Sequence, residues 1–145
     1  MAPRMLFVNL PVASPARSRD FYEALGFEVN ELFSDETCTC VAVSETGYLM
    51  LLERSKFASF TAKTVADPTT HVTHLTTFSA ASREEVDALV ATAIEHGGSC
   101  DEDPSDYGFM YSHSFVDPDG NGWGLAWMAP EAVEAGPAEY QAQSA

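Results

Sequence analysis

Positive charge is scarce in this chain. It has 7 Lys and Arg against 22 Asp and Glu, a formal net charge of −15. A surface of that sign repels the phosphate backbone of nucleic acids and anionic lipid surfaces, so neither is an expected partner. Long hydrophobic runs are also missing. No apolar stretch approaches the roughly 20 residues needed to span a bilayer. Met1-Ala2-Pro3-Arg4 leads straight into a strand-like run with no secretory h-region, and a cytoplasmic protein is expected. Cysteine is sparse. Cys38, Cys40 and Cys100 are an odd set that makes no disulfide framework. Cys38 and Cys40 lie two apart and face one side of a strand, which fits small core residues better than a metal pair. There is no Gly-x-Ser-x-Gly, phosphate loop or dinucleotide fingerprint.

What is present is a core-forming composition. Hydrophobic residues make up 46% of 145 residues, enough for one compact domain or two small modules sharing a core. The order of elements repeats. Met5 to Val12 reads as a strand. Ser14-Pro15 opens a helix carrying Ala16, Phe21, Tyr22 and Leu25, closed by Gly26. Strands follow at Phe27–Phe33, Thr37–Val43 and Tyr48–Glu53, separated by Ser34-Asp35-Glu36 and Glu45-Thr46-Gly47. A connector over 54–69 contains Phe57 and Phe60, expected to be packed, and ends at Asp67-Pro68. The second half then gives a strand over His71–Ala80 and a capping box at Ser82-Arg83-Glu84-Glu85. That box opens a helix with Val86, Leu89, Val90, Ala93 and Ile94 at helical spacing. A short edge strand at Ser99–Glu102 and strands at Gly108–Val116 and Asn121–Met128 complete the half. The pattern is β-α-β-β-β twice, an architecture in which neither half buries its sheet face alone. The expected organisation is one domain over 1–130, with modules at about 5–53 and 70–128. An acidic, flexible tail over 131–145 follows, with Tyr140 as its one sizeable anchor.

Two segments carry more than local structure. Phe115-Val116-Asp117-Pro118-Asp119-Gly120-Asn121 runs into Gly122-Trp123-Gly124-Leu125-Ala126-Trp127. Here Pro fixes one dihedral, Gly accepts a positive one, and the Asp and Asn side chains bond their own backbone. The flanking apolar runs make it a β-hairpin. Near the start stands Arg17-Ser18-Arg19-Asp20-Phe21-Tyr22-Glu23-Ala24-Leu25-Gly26-Phe27.

Together with the duplicated pattern, these segments resemble the vicinal oxygen chelate superfamily. It holds glyoxalase I, extradiol dioxygenases, and fosfomycin- and bleomycin-resistance proteins. The resemblance covers almost the whole chain up to Met128. It implies an α+β fold in which two βαβββ modules form a cupped, curved mixed sheet with the helices outside, ligand or metal inside the cup, and commonly a homodimer. In metal-using members, His and Glu side chains hold a divalent ion that polarises two substrate oxygens and stabilises an enediolate or similar anion.

Carried over residue by residue, the ligand set is depleted. The first-strand His position is Phe7. The corresponding position in the second module is His74. The closing strand of the first module has Met50 or Leu51, and that of the second has Gly124 in place of Glu. One imidazole does not hold a catalytic ion, which takes about three protein ligands. His71 and His74 are three apart and would face opposite sides of a strand. His113 shares the parity of Phe115 and should face the helix layer, and His96 sits at a helix end. Glu53 closes a strand and could curl inward.

Alternation sets the inferred cup lining. Phe7 and Asn9 come from the first strand, with Met50 from that module's closing strand. Val72, His74 and Thr76 come from the fifth, and Met110, Ser112, Ser114, Gly122, Gly124 and Ala126 from the last two. Trp123, Leu125 and Trp127 face the other way. Such a lining suits a small organic molecule held by a few oriented hydrogen bonds, or a cup filled by its own side chains. Three readings stand. The first is a binding protein without metal or other cofactor. The second is a glyoxalase- or dioxygenase-like enzyme using Zn, Mn, Fe or Ni through His74. The third is metal-free acid–base chemistry with His74 as the titrating, catalytic group. Fold alone does not choose among them.

Overall fold

A computed structural model of the protein describes residues 2–139. The chain forms two compact units. One contains the residues up to Thr73 together with Asp117–Asn121, and the other contains His74–Val116 and the chain from Gly122 onward. Each unit has its own four-stranded mixed sheet, and the fold class is α+β.

In the first unit β1 (Leu6–Val12) leads to α1 (Pro15–Ala24), then β2 (Glu28–Val29), β3 (Cys38–Ala42), β4 (Gly47–Glu53) and α2 (Arg54–Ser59). The sheet order is β1-β4-β3-β2, with β1 parallel to β4 and the other pairs antiparallel. The start of α1 follows from its sequence. Ser14 is extended and its side chain accepts the Arg17 N–H at 3.2 Å, while Pro15 occupies the first turn. Gly26 at φ 94° ends it. One sheet face carries Leu10, Val12, Thr39, Val41, Leu49 and Leu51, all buried, and Thr39 Oγ1 donates to Pro15 O of α1 at 2.9 Å. Phe21 and Tyr22 are fully buried, each worth about 1.5–3 kcal/mol of transfer free energy.

The expected strand over Phe27–Phe33 is cut short. Only Glu28 and Val29 pair. Asn30 Oδ1 accepts the Leu32 N–H at 3.1 Å and starts a 3-10 turn over Glu31–Phe33, a local bond that competes with the ladder. Leu32 and Phe33 are left exposed. In the connector, Phe60 is also exposed, contrary to the expectation that it packs.

In the second unit β5 (Thr76–Ser79) leads to α3 (Arg83–Glu95), β6 (Ser105–Asp106), β7 (Met110–Val116), β8 (Gly122–Met128) and α4 (Pro130–Ala135). The order is β5-β8-β7-β6, with β5 parallel to β8. The Ser82 cap forms as read, and the return bond from Glu85 reaches one residue further back than in a capping box. Ser82 Oγ accepts the Glu85 N–H at 3.1 Å, and the Glu85 carboxylate accepts the Ala81 N–H. Val86, Val90 and Ala93 are the buried side of α3, on the sheet face that carries Phe115, Trp123 and Leu125. Arg83 lies over the Tyr111 and Trp127 rings.

Three boundaries differ from the sequence reading. The fifth strand begins at Thr76, not His71, because Asp67 O accepts the Thr70 and His71 N–H groups and keeps that segment in a turn. The edge strand expected at Ser99–Glu102 reduces to a bridge between Ser99 and Val116, and the paired edge is Ser105–Asp106. Pro130–Ala135 is a helix where a flexible tail was expected. Pro130 opens its first turn and Ala132 is buried. Tyr140 and the rest of the expected tail lie outside the described residues.

Candidate functional site

The two sequence signatures meet in the first unit. Asp119 is buried, and its Oδ1 accepts both the Ala13 N–H and Arg17 Nη2 at 2.8 Å, with Ser18 Oγ at 3.4 Å from Oδ2. Asp117 Oδ1 accepts the Asp119 and Asn121 N–H groups at 2.9 Å, and its Oδ2 accepts Tyr22 Oη at 2.8 Å and Asn121 Nδ2 at 3.1 Å. Burial raises the Asp117 carboxyl above its ordinary value, and the hydrogen bonds from Asn121, Tyr22 and Asp119 oppose that rise without cancelling it. Gly120 has φ 96°, and a Cβ there would lie 2.9 Å from Thr69 N and 3.0 Å from Pro68 C and O. These residues are occupied in holding α1 and the turn together. Their chemistry is structural.

The second sheet presents the more open chemistry. Register places Ser112 opposite Ala126, Ser114 opposite Gly124, and Thr77 beside Gly124. These residues share the face away from Phe115, Trp123 and Leu125. At one end of it lies a pocket of about 390 Å³ lined by Leu75, Thr77, Cys100, Glu102, Ser114 and Gly124, among others. Ser114 Oγ donates to Glu102 Oε2 at 3.2 Å. The volume falls in the range of small-molecule sites, about 300–1,000 Å³.

The expected lining residues divide between the units. Phe7, Asn9 and Met50 share one face of the first sheet, where Phe7 stacks on Tyr48 at 5.2 Å between ring centroids and Asn9 pairs in register with Met50. Asn9 borders a separate cavity with Phe57, Phe60 and Thr61. Met110, Ser112, Ser114 and Gly124 share the open face of the second sheet. Thr76 is a correction. It pairs with Trp123 and so belongs to the helix-side face, although it borders the pocket. The residue on the Gly124 side is Thr77, whose Oγ1 would lie 2.7 Å from a Cβ at position 124. Val72 and His74 precede the strand, both are exposed, and neither lines the pocket. His113 faces α3 as parity implies, with Nδ1 3.9 Å from Asp87 Oδ1.

Glu102, Cys100 and Thr77 were not singled out from the sequence as lining. Thr77 follows from parity once the strand start is known. Glu102 and Cys100 reach the pocket from an irregular segment whose path no local pattern specifies.

The donor set does not fit a divalent ion. Phe7 offers no lone pair, Gly124 has no side chain, and Met50 and Leu51 are apolar. Among the described residues no group of three or more His, Cys, Asp or Glu side chains is arranged to hold a metal. Cys38 and Cys40 are buried free thiols, raised above the usual thiol range by burial. Among the described residues no helix is long and apolar enough to cross a membrane.

The sequence model of the Glyoxalase/Bleomycin resistance protein/Dioxygenase superfamily matches residues 4–125, and the chain belongs to that superfamily. Solved structures agree on the fold. A hypothetical protein from S. aureus is 26% identical, with a TM-score of 0.73 over 88% of this chain and 94% of that one. A glyoxalase/bleomycin resistance protein/dioxygenase family enzyme from Burkholderia phytofirmans is 19% identical, with a TM-score of 0.71 over 87% of this chain and 99% of that one. A lactoylglutathione lyase from Agrobacterium tumefaciens is 16% identical, with a TM-score of 0.63 over 88% and 95% of the two chains. Among curated proteins none matches this chain by sequence.

Proposed function

We propose that this member of the superfamily binds a small organic molecule without a metal, on the open face of its second sheet. The observation that carries the reading is Gly124. Where metal-using relatives of this fold place a carboxylate, this chain has no side chain, and Gly124, with Thr77 Oγ1 against its Cβ position, borders the pocket with Ser114 and Glu102. Glu102 and the Ser114 and Thr77 hydroxyls supply orientation, and Leu75 supplies apolar contact. The net charge of −15 and the two carboxylates at Asp101 and Glu102 favour a neutral or cationic ligand over an anionic one. The same reading has the protein cytoplasmic and paired as a homodimer. The exposed Met5, Leu6 and Phe7 at edge strand β1 support association, which would cover them.

The test is thermal stabilisation of metal-stripped protein by a panel of neutral, cationic and anionic small molecules. A ligand at about 100 times its Kd adds about 2.7 kcal/mol to stability, a shift of several degrees. The expected hits are metal-independent, and are lost in Gly124→Trp and weakened in Ser114→Ala. Near-stoichiometric binding of zinc, manganese, iron or nickel that weakens in His74→Ala would overturn the reading in favour of metal-dependent lyase or dioxygenase chemistry.

A further inference from the structure

Among the described residues, His113 Nδ1 is the buried side-chain nitrogen or oxygen that lacks a hydrogen-bond partner. Its surroundings explain what the ring is suited to do. Nδ1 lies 3.9 Å from Asp87 Oδ1. On the other side, Nε2 lies 3.4 Å from Cys100 Sγ and 3.0 Å from Glu102 O. A neutral imidazole carries one N–H and one lone pair: with the proton on Nε2 the ring donates to Glu102 O, and with the proton on Nδ1 the Nε2 lone pair faces the Cys100 thiol. A ring that has taken up a second proton donates on both sides. The Cys100 thiol donates to Glu102 O at 3.2 Å and lies within 3.4 Å of Nε2, so its proton can pass from the carbonyl to the ring, and Cys100 lines the pocket beside Ser114 and Gly124. A nucleophile, a base within reach of it and a carboxylate behind the base form the arrangement that activates a thiol.

We infer that Cys100, His113 and Asp87 form a nucleophilic thiol site on the wall of this pocket, which adds to neutral or cationic α,β-unsaturated carbonyl compounds. In the step, Cys100 Sγ forms a bond to the β-carbon and the carbon–carbon π bond breaks toward the carbonyl oxygen. His113 Nε2 takes the thiol proton, then returns it to the α-carbon of the enolate. The net change is addition of S–H across the double bond, with no oxidant or reductant. Asp87 is a positioning residue that steadies the protonated ring, and Tyr111 Oη in turn donates to Asp87 Oδ1 at 2.7 Å. The charged groups around the site are Asp87 from α3 and Asp101 and Glu102 from the segment carrying Cys100. Arg83, over the Tyr111 ring, is the nearby cation and is paired with Asp106, so the acidic groups predominate and select against anionic electrophiles. The inference uses the same pocket as the proposed binding function. It is read by a covalent mass change, whereas reversible binding is read by thermal shift, so either can fail alone.

The experiment treats the full chain with acrylamide at pH 7 and follows each cysteine by peptide mass spectrometry. A positioned general base contributes about 10²–10⁴-fold. Cys100 is expected to react at least about tenfold faster in the folded protein than in the urea-unfolded chain, normalised to a cysteine peptide in each solvent. The buried Cys38 and Cys40 stay unmodified while the protein is folded. His113→Ala should bring Cys100 to the unfolded-chain rate, and added imidazole should restore it, a rescue that lost packing would not show. If His113→Ala does not fold by circular dichroism, His113→Gln takes its place. Asp87→Ala should slow the reaction and Asp87→Glu should recover part of it. Acrylate should be disfavoured relative to acrylamide more strongly by the folded protein than by the peptide. A folded-state rate no higher than the unfolded one, an unchanged rate in the His113 variant, or no effect of imidazole on that variant would each overturn the inference.

Discussion

Arg17 Nη2 lies 2.8 Å from Asp119 Oδ1, with the Asp119 side chain almost fully buried and half of the Arg17 side chain in solvent. The pair joins the first helix to the Asp-Pro-Asp-Gly-Asn turn. It is one of several bonds to that carboxylate, since the Ala13 N–H reaches the same oxygen. Asp119→Ala removes the acceptor shared by the part-buried Ala13 N–H and the Arg17 guanidinium and empties a buried site. The expected cost is about 2–4 kcal/mol, measured as the shift in the urea midpoint at constant m-value. Arg17→Ala should cost less, because its exposed end is already solvated.

Asp117 predicts a pH dependence opposite to that of most paired carboxylates. Its folded-state value is raised, chiefly by burial. The folded state therefore binds its proton more tightly than the unfolded state does. This contribution favours folding at pH below the ordinary Asp value and is lost as pH rises through the raised folded value. Relative to Asp117→Asn, the native protein should lose stability as pH climbs from about 4 into the neutral range. Urea unfolding of both proteins across that range measures the difference. A flat difference curve would contradict the burial argument.

Gly120 cannot accept a side chain cheaply. Its φ of 96° lies where L-residues are strained, and a Cβ would approach backbone atoms of Pro68 and Thr69 that cannot rotate away. Gly120→Ala should destabilise by about 2–4 kcal/mol, seen as a lowered Tm by circular dichroism. Gly26, also at positive φ but with nothing within 4 Å of its Cβ position, should cost only the backbone term of about 1–2 kcal/mol.

At α3, Ser82→Ala removes the cap on the Glu85 N–H. The expected loss is about 1 kcal/mol, with the pocket unaffected. Thermal stabilisation by any pocket ligand should therefore persist in this variant, relative to its own lower Tm.

Gly124→Ala separates space from fold. Its Cβ would lie 2.7 Å from Thr77 Oγ1, a side-chain atom that can turn about χ1. The variant should fold, lose about 1 kcal/mol or less, and bind pocket ligands more weakly. The double variant Gly124→Ala with Thr77→Ser should bind no more weakly than Gly124→Ala alone. Calorimetric titration distinguishes the two.

Local chemistry made much of this protein readable before its fold was known. Ser14-Pro15, the Ser82 to Glu85 cap and Gly26 mark helix ends through bonds between residues a few positions apart, and all three stand where the sequence placed them. The Asp-Pro-Asp-Gly-Asn turn and the facing of His113 likewise followed from short-range geometry and strand parity. The duplicated pattern and two motifs identified the superfamily. Tertiary structure decided what depends on distant partners. The start of β5 at Thr76 moved Thr77, in place of Thr76, to the Gly124 side, because one residue of offset reverses every side chain of a strand. The approach of Glu102 to Ser114, and of Cys100 and Asp87 to His113, arises from an irregular segment and a helix meeting one strand. No periodicity in the sequence encodes that meeting, since the contacts that create it span 11 to 26 residues of chain, from Glu102 to His113 and from Asp87 to His113.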